Sequence, residues 1–304
     1  MQVDRRLDGS WHARAEVLGD RLRVVVLCSD DPHHAYLLSC AARRLDVVGA
    51  IIEPGSAQQR RLWDKRRWVD AVARSYQIRR QRVTGRSSYR RRYFSPLTST
   101  PQVPAHRVDW INSPEAHRRL VELRPDVTIV CGTTYLRSHM IEDAGLMVNI
   151  HGGCLTEYKG NHCVFFAFLR KDYEHIGATL HLVTSRLDGG DIIETVLPEI
   201  YPHDNDEHLY DRAVHQAIDR IVDLLAGLEA GAPLLARRQD DRGETFRHRS
   251  RKPLLDLQVW ARARLGLEQV PHLLGDRRRA PCTANGAVRA RMGAAASSAG
   301  WRDP

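Results

Sequence analysis

The residues best suited to catalysis lie in two short segments near the middle of the chain. Asn149 and His151 are separated by one residue at the end of an apolar run. Because side chains two residues apart in a strand point to the same side, an amide and an imidazole would be presented together. Asp188, the third candidate, is followed by two glycines that permit a tight turn. A carboxylate placed beside His151 would fix the tautomer of the imidazole and favour its protonated form.

These three residue types suit the transfer of an acyl-level carbon to an amine. Attack by an amine on the carbonyl carbon generates an oxyanion, which the amide of Asn149 and a protonated His151 would stabilise. Losing one such donor typically slows a reaction by on the order of 10²–10³. Asp188 would accept the proton that the amine sheds, directly or through a water. His181, on the following apolar strand, is expected to support the site rather than to react.

The surrounding sequence predicts an α/β domain built on a mostly parallel, twisted sheet flanked by helices. Continuous apolar runs bounded by polar residues indicate strands that are buried on both faces. The predicted strands span residues 22–29, 47–52, 127–131, 147–151 and 178–183. The predicted helices span residues 34–45, 114–123, 137–144, 165–170, 208–228 and 253–274. Open sheets of this kind bind ligands at the carboxyl ends of their strands, which is where Asn149 and His151 fall.

Together these motifs resemble the formyltransferase family, whose members take a formyl group from N10-formyltetrahydrofolate. The family signature is Asn-x-His at a strand end, a Tyr-x-Gly loop, a Gly-x-Thr-x-His strand and a Leu-Asp-x-Gly turn. The corresponding segments here are Asn149-Ile150-His151, Tyr158-Lys159-Gly160, Gly177-Ala178-Thr179-Leu180-His181 and Leu187-Asp188-Gly189-Gly190. The resemblance covers residues 22–231 and implies a Rossmann-like formyltransferase fold with Asn149, His151 and Asp188 as the catalytic trio.

Two positions depart from the common family pattern. Thr156 stands where many members have the proline that shapes the Tyr-x-Gly loop. Asp191 also stands where many members have proline, and members that act on sugars or on small natural-product amines often carry the aspartate. The first departure concerns the path of the loop and the second favours a small-molecule acceptor.

The resemblance also implies where the two substrates bind. The folate is expected on the loop after the 127–131 strand and on the loop before Asp188, largely through main-chain groups. The residues of these loops predicted to bind it are Gly132, Thr133, Tyr135, Leu136, Arg186 and Leu187. Tyr158, Lys159 and Asn161 are predicted on the acceptor side, with an amino sugar, an amino acid or an aminoglycoside-like amine all open.

Three other functions remain to be weighed against transfer to a small amine. Initiator-tRNA formylation is the first, and the resemblance implies that such enzymes carry a substantial C-terminal β domain, whereas about seventy residues follow Gly231 here. The second is hydrolysis of formyltetrahydrofolate, in which water replaces the amine. The third is a binding protein that keeps the fold without catalysis, which the intact trio disfavours.

Most of the net charge of +9 comes from one segment, because residues 55–95 contain thirteen Arg or Lys and two acids. Residues 55–104 are interpreted as a basic insertion outside the sheet, helical in its first half and irregular from residue 84 onward. Trp63, Trp68, Val69 and Val72 are expected to pack on the domain, with the arginines facing solvent and no nucleic acid bound in function. A polyanion is the alternative partner of such a patch.

The remaining sequence indicates the domain organisation and the class of protein. Residues 1–21 are interpreted as an N-terminal extension, 22–231 as the catalytic domain, 232–275 as a C-terminal extension and 276–304 as a disordered tail. No apolar run approaches the ~18 residues of a membrane span, and the first residues lack the apolar core of a secretory signal, so we expect a cytoplasmic protein. A homodimer is left open.

The cysteines and the other histidines give no metal or disulfide pattern. The six cysteines form no CxxC pair, so no metal site is predicted. Cys154 and Cys163 are interpreted as packing residues. His33 and His34 are interpreted as a solvated pair after the first strand, with contact to the substrate pocket as the alternative.

Overall fold

The computed structural model describes residues 2–5, 11–14, 21–95, 102–239 and 243–273. The strands are β1 (Gln2–Arg5), β2 (Trp11–Arg14), β3 (Arg23–Cys28), β4 (Asp46–Ile52), β5 (Ala105–Arg107), β6 (Val127–Cys131), β7 (Leu146–His151), β8 (Tyr158–Gly160), β9 (Ala178–Leu182), β10 (Ile192–Val196), β11 (Leu234–Ala236) and β12 (Glu244–Phe246). The helices are α1 (Pro32–Ala42), α2 (Gly55–Asp64), α3 (Trp68–Val83), α4 (Arg86–Tyr93), α5 (Pro114–Leu123), α6 (Ser138–Glu142), α7 (Cys163–Leu169), α8 (Asp206–Glu229) and α9 (Pro253–Arg264). Short 3₁₀ turns lie at Tyr173–His175 and His248–Ser250.

A seven-stranded sheet in the order β10-β9-β7-β6-β3-β4-β5 forms the centre of the domain. Strands β7, β6, β3, β4 and β5 are parallel to one another. At one edge of the sheet, β9 pairs antiparallel with β7, and β10 pairs antiparallel with β9. Strands β3 and β6 are buried on both faces by helices, α1 and α8 on one side and α5 and α6 on the other, and their buried residues are apolar except Thr128, whose hydroxyl donates to the Ala144 carbonyl. The predicted mostly parallel α/β architecture is confirmed.

The helix starts follow local capping rules. Ser113 caps α5 by accepting from the Ala116 N–H, and Pro114 occupies the first turn, where no N–H is needed. Asn205 caps α8 by accepting from the N–H groups of Glu207 and His208. Because α8 packs along the sheet next to β7, its first turn lies near the end of the strand that carries Asn149 and His151.

The predicted packing of the basic insertion is wrong. Trp63, Trp68, Val69 and Val72 are 38%, 53%, 64% and 58% exposed, and the part predicted to be irregular contains helix α4. The α3 residues that are buried include Asp70 and Gln77, so the insertion presents a polar face to the domain.

Arginines hold the insertion against the first turns of α8. Arg80 and Arg90 contact Glu207 at 2.6 and 2.9 Å, and Arg90 also donates to Asp211 at 2.7 Å. Arg86 contributes further contacts of 3.2 Å. Although burial opposes ionisation, Arg90 and its neighbouring arginines hold the pKa of Glu207 well below its usual range. These arginines therefore face inward, the reverse of the orientation expected from their charge.

Outside the central sheet, the described residues form two smaller sheets and helix α9. β1 and β2 form a three-stranded sheet with β11, and β12 pairs in parallel with β8. The helix predicted over 253–274 ends at Arg264, since Gly266 adopts a left-handed φ of 66° and the chain then continues to a bridge between Leu273 and Ile200. The predicted disordered tail, 276–304, lies outside the described residues, as does most of the N-terminal extension. Among the described helices, none is long and apolar enough to cross a membrane.

Candidate active site

Asn149 is held in place by a neighbour on the adjacent strand. Asn149 on β7 lies opposite His181 on the neighbouring strand β9, and Asn149 Nδ2 lies 2.9 Å from His181 Nε2. His181 Nδ1 lies 2.8 Å from the Leu182 carbonyl oxygen, which can only accept, so Nδ1 carries the proton and Nε2 accepts from the Asn149 amide. Burial, with a smaller effect of His151, lowers the pKa of His181 to about 4 and keeps the ring neutral. One N–H of Asn149 is thus committed and the other is left for a ligand, which agrees with the predicted supporting role of His181.

His151 and Asp188 face each other at the end of β7. His151 Nδ1 lies 3.7 Å from Asp188 Oδ1, beyond direct hydrogen-bond distance. Asp188 Oδ2 accepts from the Gly160 N–H at 2.9 Å, and Asp188 itself has a left-handed φ of 50°. The loop that carries Asp188 is therefore strained and is held in place by Gly160, and the other carboxylate oxygen of Asp188 faces the imidazole of His151. The three residues predicted to form the catalytic trio line a common cleft.

Cys163 contacts the other side of the His151 ring. Cys163 Sγ lies 3.4 Å from His151 Nε2 and 3.6 Å from the Gly160 carbonyl oxygen. Burial, and then the charge of Asp188, raise the pKa of the Cys163 thiol well above its usual value, so it stays protonated and donates to the Gly160 carbonyl oxygen. The sequence interpretation of Cys163 as a packing residue misses this contact, because the contact spans the loop between β7 and α7.

The cleft has a volume of about 1510 Å³, which is larger than a typical single-ligand pocket. All of the residues predicted to bind folate line it: Gly132, Thr133, Tyr135, Leu136, Arg186 and Leu187. Their two loops are joined because the Tyr135 hydroxyl donates to the Ser185 carbonyl. Buried Glu53, which the sequence analysis did not single out, fixes the first loop by accepting from the Thr134 N–H at 2.9 Å.

The residues predicted on the acceptor side are divided between the cleft and the core. Asn161 lines the cleft. Tyr158 instead donates its hydroxyl to Asp172 at 2.8 Å, and Lys159 is 4% exposed on β8, which β12 covers. Tyr158 and Lys159 are therefore absent from the cleft lining, and the prediction that they bind the acceptor does not fit their placement.

His33 and His34 are buried in the cleft wall, so the solvated interpretation is wrong and the alternative contact with the pocket fits. His34 Nδ1 accepts from the Asp31 N–H at 3.1 Å, so its Nε2 carries the proton. A Cβ on Gly132, whose φ is 72°, would lie 2.3 Å from that nitrogen, which explains the glycine at the start of the loop after β6. Ligand atoms of His33, His34 and Cys131 lie within 4.8 Å of one another, but a protonated His34 Nε2 has no lone pair for a metal.

The cleft is closed on its far side by segments outside the central sheet. Helices α3 and α4 of the insertion contribute several arginines, among them Arg74 and Arg90. The segment after β12 contributes His248, whose ring contacts His162 with 5.5 Å between ring centroids. This wall of the cleft is thus formed by the basic insertion and by the C-terminal extension.

Comparisons with known proteins identify relatives of this architecture. A family model described as formyl transferase matches residues 22–225. The methionyl-tRNA formyltransferase of Streptococcus agalactiae is 25% identical over 131 residues, which cover 42% of each chain. The chain spans about half the length of the curated relatives it matches. A sugar N-formyltransferase from a Shewanella species is 15% identical, with a TM-score of 0.46 over 74% of this chain and 76% of that one. Glycinamide ribonucleotide transformylase 1 from Symbiobacterium toebii is 20% identical, with a TM-score of 0.49 over 75% of this chain and 99% of that one.

Proposed function

The chain belongs to the formyl transferase family, and on this premise we propose that it transfers a formyl group from N10-formyltetrahydrofolate to the amine of a small molecule. The amine is that of an amino sugar or of a natural-product precursor. The convergence of Asn149, His151 and Asp188 at one strand end carries the proposal.

Each member of the trio has a distinct part in the reaction. The acceptor nitrogen attacks the formyl carbon, and the uncommitted N–H of Asn149 together with His151 stabilises the oxyanion that forms. Asp188 accepts the proton of the acceptor nitrogen. The bond between the formyl carbon and N10 then breaks, N10 receives that proton, and the formamide and tetrahydrofolate leave.

The shape of the cleft supports two small substrates. The folate occupies the side formed by the two tethered loops, and the acceptor occupies the side covered by the insertion. Since buried ion pairs with α8 hold the insertion in place, and its residues line the same cleft as the trio, the insertion narrows the space for a large macromolecule more than for a small molecule.

The test is an assay with N10-formyltetrahydrofolate and a panel of amino sugars, amino acids and aminoglycosides. Tetrahydrofolate and the new formamide are followed by mass spectrometry, with His151→Ala as the inactive control. Equal yields of tetrahydrofolate and formamide support transfer. Formate release that is independent of any amine would identify a hydrolase instead, and no turnover with any acceptor would reject the proposal.

Methionyl-tRNA formylation is the second candidate, since curated relatives carry that name and the insertion retains exposed arginines such as Arg79 and Arg92. Charged initiator tRNA therefore belongs in the same panel. Its formylation at a higher kcat/KM than every small amine would replace the leading proposal.

A further inference from the structure

Arg74 is a cation in the cleft wall without an acidic partner among the described residues. It lies on α3 and is partly buried, and its Nη2 donates to the Gly55 carbonyl oxygen at 3.4 Å. Burial lowers the pKa of Arg74, although nearby carboxylates such as Asp31 and Glu53 counteract that effect. Two of the carboxylates near Arg74 are engaged elsewhere: Glu53 accepts from the loop after β6, and Asp30 accepts from the Gly55 N–H and pairs with Arg107 at 2.8 Å. A desolvated guanidinium of this kind is typical of a site that an anion completes.

Two imidazoles with unpartnered nitrogens line the same wall: His248, which is close enough to feel the charge of Arg74, and His162, whose ring lies 5.5 Å from that of His248 between centroids. His248 Nδ1 and His162 Nε2 are both buried and make no hydrogen bond. Burial, and then the charge of Arg74, lower the pKa of His248 to about 4, and burial followed by Arg251 lowers that of His162. Both rings are therefore neutral near pH 7, and each carries one N–H, which donates to a ligand oxygen in the tautomer that has the proton on the unpartnered nitrogen.

The wider cleft is positive around this cluster. Arg66, Arg82 and Arg249 line it and form no ion pair with the residues that the structure describes. Asp70, an acidic residue in the same wall, is bound by Arg67 at 2.7 Å. Arginines outnumber carboxylates in the lining of the cleft, and such an excess of one sign of charge concentrates ligands of the opposite sign.

We propose that Arg74, His248 and His162 form a subsite for a compact oxyanion, a phosphate or a carboxylate, on a substrate held in the cleft. The guanidinium makes a bidentate pair with the anion, and the two imidazoles donate to its remaining oxygens. The subsite rests on the proposed function for its link to turnover, because His162 follows the Gly160-Asn161 loop that anchors Asp188. An anion bound there fixes its substrate relative to the trio.

Anion binding is measured first, without turnover. Isothermal titration with inorganic phosphate and with pyrophosphate compares the wild type, Arg74→Met and Arg79→Met. Arg79 lies on the same helix, is exposed and does not line the cleft, so it is the matched control. We expect Arg74→Met to weaken binding by about 10- to 100-fold, the usual effect of losing hydrogen bonds to a charged group, and Arg79→Met to leave it unchanged. Arg74→Lys, which keeps the charge, should recover part of the affinity, and circular dichroism checks the fold of each variant.

The source of the anion is found by competition. If the acceptor carries it, pyrophosphate competes with the acceptor and Arg74→Met raises the KM of the acceptor. If the glutamate tail of the folate carries the anion, pyrophosphate competes with N10-formyltetrahydrofolate and Arg74→Met raises the KM of N10-formyltetrahydrofolate. Equal phosphate affinity in the wild type and Arg74→Met, or no binding to either, overturns the subsite whether or not formyl transfer is observed. Failure of formyl transfer with intact phosphate binding instead rejects only the proposed function.

Discussion

Asn149 donates one of its two amide hydrogens to His181 Nε2, 2.9 Å away, and His181 is oriented in turn by the carbonyl of Leu182. The second amide hydrogen therefore points in one fixed direction, toward the cleft. A preorganised donor of this kind stabilises a developing oxyanion without reorganisation during the reaction.

His181 is accordingly expected to act as a positioning residue. His181→Ala should lower kcat by about 10-fold with little change in the KM of either substrate, because the Asn149 amide loses its orientation rather than its presence. His181→Gln, which retains an acceptor, should recover part of the loss. Equal effects on kcat and KM in both variants would indicate a general packing defect instead.

Asn149→Ala and His151→Ala should each lower kcat/KM by about 10²–10³ or more, because each removes a donor to the oxyanion. Both side chains lie at a strand end that lines the cleft, so unfolding transitions should stay close to that of the wild type. Steady-state kinetics and thermal denaturation measure the two properties. Near-wild-type turnover in either variant would remove that residue from the catalytic assignment.

The sequence predicts those parts of the molecule that depend on local pattern. Continuous apolar runs locate the central strands, and the period of two in β7 places Asn149 beside His151. Contacts between distant segments leave no such pattern. Arg90 meets Asp211 across 121 positions, and its charge indicates a solvated face rather than a buried pair. The exposed position of Trp68 follows from the same fact, because the insertion is anchored by ion pairs rather than by its apolar residues.

Buried neutral histidines make stability depend on pH. Burial lowers the pKa of His34 to about 4, from an unfolded value near 6.5. Because the unfolded chain binds the proton more tightly, stability is fully present above pH 6.5 and falls as the pH drops toward 4. At pH 5 the loss is on the order of 2 kcal/mol for one such residue. Urea denaturation at pH 7 and pH 5 should show the fall, and His34→Asn, which keeps an acceptor for the Asp31 N–H but does not titrate, should reduce it. An unchanged pH dependence in that variant would contradict the assignment.

Removing one partner of the ion pairs between the insertion and α8 should lower the free energy of unfolding. Arg90→Met leaves Glu207 and Asp211 buried with one cation fewer, which we expect to cost about 3–5 kcal/mol of the free energy of unfolding. Arg92→Met, an exposed neighbour on α4, should change it by less than about 0.5 kcal/mol. Chemical denaturation measures both. Similar effects of the two substitutions would show that the insertion is held by something other than these pairs.

The dependence of turnover on salt separates a small acceptor from tRNA. An RNA substrate that makes six to ten phosphate contacts loses roughly 10³–10⁵ in affinity between 50 and 200 mM salt, because bound counterions are released. An amine that carries one or two charges releases few counterions, and Arg80, Arg86 and Arg90 of the insertion are already paired with carboxylates of α8. We therefore expect kcat/KM for the small acceptor to change by less than about 10-fold over that range, and bulk tRNA to bind weakly. Salt-sensitive submicromolar binding of tRNA, together with formylation of charged initiator tRNA, would show that the exposed arginines of α3 and α4 serve a nucleic acid and that the small amine is not the acceptor.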